Sequence, residues 1–134
     1  EPDLVELPDG RLLSILRPCM CQTISKDKGR TWSKPTRLLR GHAPSLLLTR
    51  DGVLLCGHRE QPGPRTGLIM STDFGKTWSL PRMIDVAGGA YPSFVELGDG
   101  RILCLHYQEA AGGNLRQAVF KIDRKTSNIT LMEP

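Results

Sequence analysis

Ser71-Thr72-Asp73-Phe74-Gly75-Lys76-Thr77-Trp78 and, 46 residues earlier, Ser25-Lys26-Asp27-Lys28-Gly29-Arg30-Thr31-Trp32 fit one pattern, Ser-x-Asp-x-Gly-x-Thr-Trp. The pattern describes a tight hairpin turn. Its Asp carboxylate accepts backbone N–H bonds, its Gly takes a strained backbone position, and its Trp is expected to bury its ring against neighbouring strands. A turn of this kind, repeated at fixed spacing, implies a repeated sheet unit.

Three further segments align without gaps: EPDLVELPDGRLLSILR from Glu1, APSLLLTRDGVLLCGHR from Ala43 and YPSFVELGDGRILCLHY from Tyr91, with starts 42 and 48 residues apart. Each reads as an apolar run, an Asp-Gly pair and a second apolar run, the signature of a β-hairpin. Asp9-Gly10, Asp51-Gly52 and Asp99-Gly100 are the expected turns. A third strand then leads into the Ser-x-Asp turn, and a fourth is expected over Ser33 to Leu39 and over Ser79 to Ile84. In the third repeat that turn is degenerate: Asp123 remains, Lys125 stands where Gly would be, and no Trp follows. Four antiparallel strands in a unit of about 45 residues match one blade of a β-propeller.

The expected fold is therefore all-β, a single propeller segment of three blades at approximately residues 1–40, 41–88 and 89–134. Propellers close with about four to eight blades. Three blades expose apolar faces at both ends of the stack, which predicts a partner: a second copy of the chain as a homodimer, or the remainder of a longer propeller.

Composition narrows the function classes. The chain has 134 residues, 39% of them hydrophobic and 24% charged, enough for one ordinary globular domain. No apolar stretch approaches the roughly 18 residues of a membrane helix, so no membrane association is expected. The compartment stays open between cytoplasmic and secreted. The net charge of +4 is scattered, without the basic stripe and interleaved aromatics of a nucleic-acid groove. Cys19, Cys21, Cys56 and Cys104 read as small core hydrophobes, and no second Cys or His pair follows Cys19 and Cys21 at ligand spacing, so neither a metal nor a cofactor is expected. His42, His58 and His106 read as structural residues at scattered repeat positions.

A four-stranded meander alternates direction, which places the Asp-Gly turns and the Ser-x-Asp turns on one face of the propeller. The starts of the first strands and the ends of the second lie on the other. Pairing about each turn sets Glu1 beside Arg17 or Pro18, Ala43 beside Arg59, and Tyr91 beside Tyr107 or Gln108. With the first strand innermost, these residues crowd the mouth of the central channel. A carboxylate, a phenol and several guanidiniums gathered there suit an anionic sugar.

The doubled Ser-x-Asp-x-Gly-x-Thr-Trp turn resembles the Asp-box of bacterial neuraminidase repeat proteins, and the hairpin segments are similar to those of the sialidase superfamily over essentially the whole chain. The resemblance implies a retaining glycoside hydrolase acting on sialic acid, with a Tyr nucleophile activated by a Glu, because an anionic nucleophile would be repelled by the sugar's own carboxylate. Carried over by position, it makes Tyr91 the nucleophile and Glu1 its base. Arg17, sixteen residues after Glu1, becomes an arginine of the clamp that holds the substrate carboxylate. Arg65, six residues before Ser71, is the nearest match for a further clamp arginine, with Arg59 as a competing candidate. No Arg-Ile-Pro motif for the first arginine and no early loop for the acid Asp are present, so the chain resembles only the carboxyl-terminal half of a sialidase.

Each position has a plainer reading. Glu1 is a chain end, Arg17 and Arg59 are equivalent strand ends, and Tyr91 packs at the mouth. The prolines after Glu1, Ala43 and Tyr91 predict extended backbone at all three. A non-catalytic half-propeller that pairs with itself and binds carbohydrate, or serves as a scaffold, is the alternative to the enzyme, and a related enzyme acting on another sugar is a third possibility.

Overall fold

The computed structural model describes residues 1–63, 65–109 and 112–133. Its strands are β1 (Pro2–Glu6), β2 (Leu12–Leu16), β3 (Cys21–Ser25), β4 (Thr36–Arg37), β5 (Gly41–Leu48), β6 (Leu54–Glu60), β7 (Thr66–Ser71), β8 (Arg82–Asp85), β9 (Gly89–Glu96), β10 (Ile102–Gln108), β11 (Leu115–Asp123) and β12 (Asn128–Met132). They form three antiparallel sheets of four strands in sequential order, the all-β blade architecture expected from the repeats. Blade 1 holds β1–β4, blade 2 holds β5–β8 and blade 3 holds β9–β12. The first strands are innermost, β1 packing on β5 and β5 on β9. The fourth strands are shorter than the sequence suggests. Pro35 and Pro81 stand immediately before β4 and β8 and bring no N–H to the ladder.

Each Asp-Gly turn is built alike. In blade 1 the Gly10 amide donates to the Leu7 carbonyl at 2.8 Å and the Leu7 amide to the Arg11 carbonyl at 2.8 Å. Gly10, Gly52 and Gly100 all lie at φ between 80° and 85°, the left-handed region that closes a three-residue hairpin loop.

The two Ser-x-Asp turns superimpose in their bonding. In the second, the Thr77 hydroxyl donates to Asp73 Oδ2 at 2.6 Å, the Thr77 amide to Asp73 Oδ1 at 2.9 Å, and the Gly75 amide to Ser71 Oγ at 2.9 Å. Partial burial opposes the Asp73 charge, but the bonds from Thr77 and Ser71 outweigh it and hold the carboxyl below its ordinary value. A depressed folded-state pKa stabilises the fold above the unfolded value of about 3.9 and is lost as pH falls through the folded value. Asp73→Asn is therefore expected to cost about 1–2 kcal/mol at pH 7. Thermal unfolding of both proteins between pH 7 and pH 2.5 checks this: the gap should narrow below about pH 4. In the third blade the degenerate turn keeps its carboxylate cap, Thr126 Oγ1 donating to Asp123 Oδ2 at 2.7 Å.

Blade 2 is buried on both faces, which explains its unbroken apolar run. Leu54, Cys56 and Ile69 pack with Leu7, Leu13, Ile15 and Met20 of blade 1, whereas Val53, Leu55, Leu68 and Met70 pack with Ile102, Cys104 and Phe120 of blade 3. The outward faces of blades 1 and 3 are bare, with Leu4 56% and Val95 49% exposed. The two turn tryptophans differ for this reason. Trp78 lies over blade 1 and donates its Nε1–H to Gln22 Oε1 at 2.8 Å. Trp32, expected to be buried, is 41% exposed because its blade presents an uncovered flank on that side.

The cysteines divide. Cys56 and Cys104 are buried thiols, as expected of core residues. Cys19 and Cys21 instead form a disulfide across the β2–β3 turn; one intervening residue in that turn brings their Cα atoms to 5.1 Å, inside bridging range.

The candidate site at the channel mouth

The mouth is assembled by two irregularities of the same kind. In blade 2 the β5–β6 register shifts between His42 and Ser45, so His42, not Ala43, stands opposite Arg59. In blade 3 the β9–β10 register shifts between Leu105 and Tyr107, so Ala90 faces Tyr107 and Tyr91 occupies the bulge. Ala43 has φ 54° and Tyr91 φ 53°, left-handed rather than the extended backbone expected before proline. The sheet overrides the local preference: the bulged residue must turn back before the ladder resumes at Ser45 or Ser93. Because Ala43 shares the conformation, strain here belongs to the repeat and is not by itself a mark of function.

The bulge directs the Tyr91 side chain across the channel to blade 1. Its hydroxyl donates to Glu1 Oε1 at 2.9 Å, and Arg17 Nη1 holds the other carboxylate oxygen, Oε2, at 2.8 Å. The Arg17 amide also donates to the Glu1 carbonyl at 3.1 Å, the pairing that the hairpin arithmetic gives. Tyr91 stacks on Tyr107, ring centroids 5.8 Å apart and planes at 11°.

The electrostatics follow from this contact set. Hydrogen bonds from Arg17 and then from Tyr91 lower the Glu1 pKa, whereas the Glu1 bond and the Glu1 charge raise that of Tyr91. The resting proton is thus on the phenol, with an ionised acceptor beside it. Glu1→Gln removes the opposing charge, and the Tyr91 hydroxyl is expected to titrate at lower pH. The chain has only two tyrosines, so tyrosinate absorbance against pH reads this directly, and an unchanged curve would show that the contact is absent in solution.

Arg59 also reaches the mouth, paired in bidentate fashion with Glu109, Nη1 to Oε1 at 2.8 Å and Nη2 to Oε2 at 2.6 Å. Its Nε is buried and has no hydrogen-bond partner among the described residues. Arg65 stands apart: among the described residues it bonds through its backbone, its carbonyl accepting from Glu60 and its amide donating to Gly63. Glu109 was not among the expected residues, although it is legible in retrospect as an acid one residue past the end of β10 on the mouth face.

The histidines are not scattered. His58 and His106 hold equivalent places in β6 and β10, each turned toward the preceding blade. His58 is wholly buried, and burial lowers its pKa to about 4. His106 lies 3.3 Å from Thr66 Oγ1 and 3.4 Å from Asp85, which also pairs with Arg116. Both act as inter-blade packing groups. Among the described residues no cluster of three or more metal-ligating side chains occurs, and no helix is long and apolar enough to cross a membrane.

Comparison with known proteins agrees with the blade architecture. A family model described as a BNR repeat-like domain matches residues 2–120. A variant of the NanB sialidase from Streptococcus pneumoniae has a TM-score of 0.68 at 23% identity, covering 96% of this chain and 22% of the other. The intramolecular trans-sialidase from Ruminococcus gnavus has a TM-score of 0.72 at 23% identity, covering 92% and 32%. A family-43 β-1,3-galactosidase has a TM-score of 0.65 at 13% identity, covering 98% and 44%. The chain thus spans between about a fifth and under half the length of each of these structures, and the likeness establishes the propeller fold. No curated protein matches it in sequence.

Proposed function

The chain belongs to the BNR repeat-like domain family, and from that premise we propose that it is a sialidase-type glycoside hydrolase module. The observation that carries the reading is the bond from Tyr91 Oη to Glu1 Oε1, with Arg17 on the second carboxylate oxygen. As Tyr91 attacks the anomeric carbon, its proton passes to Glu1 along the existing bond, and the leaving group departs. Water then displaces the sugar from tyrosine: Glu1 returns its proton to the departing phenolic oxygen and the water proton passes to solvent, which restores both the phenol and the carboxylate. A neutral phenol avoids the repulsion that a carboxylate nucleophile would meet from the substrate's own carboxylate. Arg17 and Arg59 supply cationic donors for that carboxylate, which has to take the place of Glu109 on Arg59. Arg65 is the weaker clamp candidate on geometry.

The general acid and one clamp arginine of this reading lie outside the mouth residues. We place them on blades that cover the bare flanks of blades 1 and 3, from the remainder of a longer propeller or from a second copy. A fluorogenic sialoside, whose phenolate leaves without protonation, tests the Tyr91–Glu1 pair without that acid. Turnover is expected. No turnover above buffer by the folded protein would favour the second reading, a non-catalytic carbohydrate-binding or scaffold module, which the bidentate Arg59–Glu109 pair supports by engaging both terminal nitrogens of that guanidinium.

A further inference from the structure

Outward from the mouth, between blades 1 and 2, a cleft of about 330 Å³ opens on the same face. Its walls are the β2–β3 turn with Pro18 and Cys19, Arg37 at the end of β4 with Arg40 on the connector to β5, and His42 with Gln61. The charged or titratable side chains that line it are two arginines and a histidine, with no carboxylate among them. Among the described residues neither Arg37 nor Arg40 enters an ion pair, in contrast to Arg17 and Arg59.

The cleft is held in shape. Arg37 pairs with Cys21 in the β3–β4 ladder, and the Leu38 amide donates to the Met20 carbonyl at 3.0 Å. The Cys19–Cys21 disulfide fixes the turn opposite. Gly41 lets the connector drop between the blades, since a Cβ there would stand 3.0 Å from the Arg59 carbonyl and 3.2 Å from Met20 Cγ. Arg40 and His42 flank that low point.

Position relates the cleft to the mouth. Pro18 follows Arg17 in the chain, and His42 lies directly across the ladder from Arg59. The cleft therefore begins at the neighbours of the two mouth arginines, Pro18 and His42, and reaches Arg37 on β4, three strand spacings or about 14 Å from the inner strand, farther than one sugar ring extends.

We propose that this cleft binds a second anionic group of the glycan, so that the substrate class is an acidic oligosaccharide with charges on adjacent sugars. The inference rests on the sialidase-type reading of the mouth. A sugar whose carboxylate sits at Arg17 and Arg59 leads its neighbour outward, where the Arg37 and Arg40 guanidiniums, in no ion pair among the described residues, donate to a carboxylate or sulfate. The attraction is between exposed groups, so added salt weakens it.

Calorimetric titration with a methyl sialoside and with an α2,8-linked disialyl methyl glycoside tests the proposal. The two-carboxylate sugar should bind about tenfold tighter at low salt, and the ratio should fall toward one in 0.5 M salt and in the R37A/R40A double variant. Equal affinities in the unaltered protein, or a ratio that survives R37A/R40A, overturn it. Inorganic sulfate gives an independent measurement: it should shift the Arg37 and Arg40 Nε–H signals in NMR, and their failure to move overturns the cleft assignment. Absence of binding by both sugars, or methyl sialoside affinity unaffected by Arg17→Ala, would instead defeat the reading of the mouth, and the sulfate titration then decides the cleft alone.

Discussion

Tyr91→Phe is expected to lower sialoside turnover by about 10³-fold or more, with the fold intact. The substitution is narrow. Phe keeps the ring that stacks on Tyr107, the same backbone seat before Pro92 and the same bulk at the mouth. What disappears is the oxygen that would bond to the anomeric carbon and its proton donation to Glu1 Oε1. Steady-state kinetics separate the two readings of this residue. A packing role predicts little change in kcat. A nucleophile predicts loss of kcat with substrate affinity largely retained, since Arg17 and Arg59 are untouched. Turnover equal to that of the unaltered protein would remove Tyr91 from the chemistry.

Gly57→Ala is expected to cost about 2–3 kcal/mol of stability, the upper range for overpacking a core. Gly57 lies in β6 on the face of blade 2 turned toward blade 3, where a Cβ would stand 2.3 Å from Phe94 Cε2 and 2.9 Å from Pro92 Cγ. These are rigid rings, and Phe94 is itself packed edge-on against the fully buried Phe120, so the clash cannot be relieved by turning a flexible side chain. Blades 2 and 3 must separate or β9 must slide. Either movement displaces Pro92 and with it the adjacent Tyr91. Chemical denaturation reads the stability loss, and the tyrosinate titration reads the displacement, because a Tyr91 drawn away from Glu1 titrates closer to its ordinary value. A Gly57→Ala protein of unaltered stability would mean that the blade interface is looser than its geometry.

The blade architecture was legible because it rests on local chemistry. Gly at the left-handed turn position and the Ser, Asp and Thr side chains of the box act within a few residues of one another, and they recur at a spacing that only a repeated sheet unit explains. The Glu1–Arg17 pairing was legible for a related reason, since a hairpin of known turn length fixes which residues stand opposite. Arithmetic failed where the ladder does. The bulges at Ala43 and Tyr91 shift the partner of Arg59 to His42, and nothing short-range announces them; Pro44 and Pro92 argue for the opposite backbone. Glu109 was missed because its partner, Arg59, belongs to another blade. The Cys19–Cys21 bridge was not legible because a spacing of two residues brings two Cα atoms within bridging range only where the chain turns, and composition alone argues for buried thiols. The equivalence of His58 and His106 is legible in the aligned segments, where both stand at the sixteenth position.

The paired bulges have a consequence for how this site can be altered. Position 43 offers the same seat as position 91, one blade earlier, occupied by a methyl group in place of a phenol. The left-handed bulge is thus a property that the repeat copies from blade to blade, and in the proposed function the chemistry rests on the side chain that one copy carries. Whatever is common to the two seats measures the scaffold. Whatever distinguishes them measures what the Tyr91 side chain adds. A protein organised in this way carries its own internal control: the same left-handed backbone holds a buried methyl at Ala43 and a half-exposed ring at Tyr91.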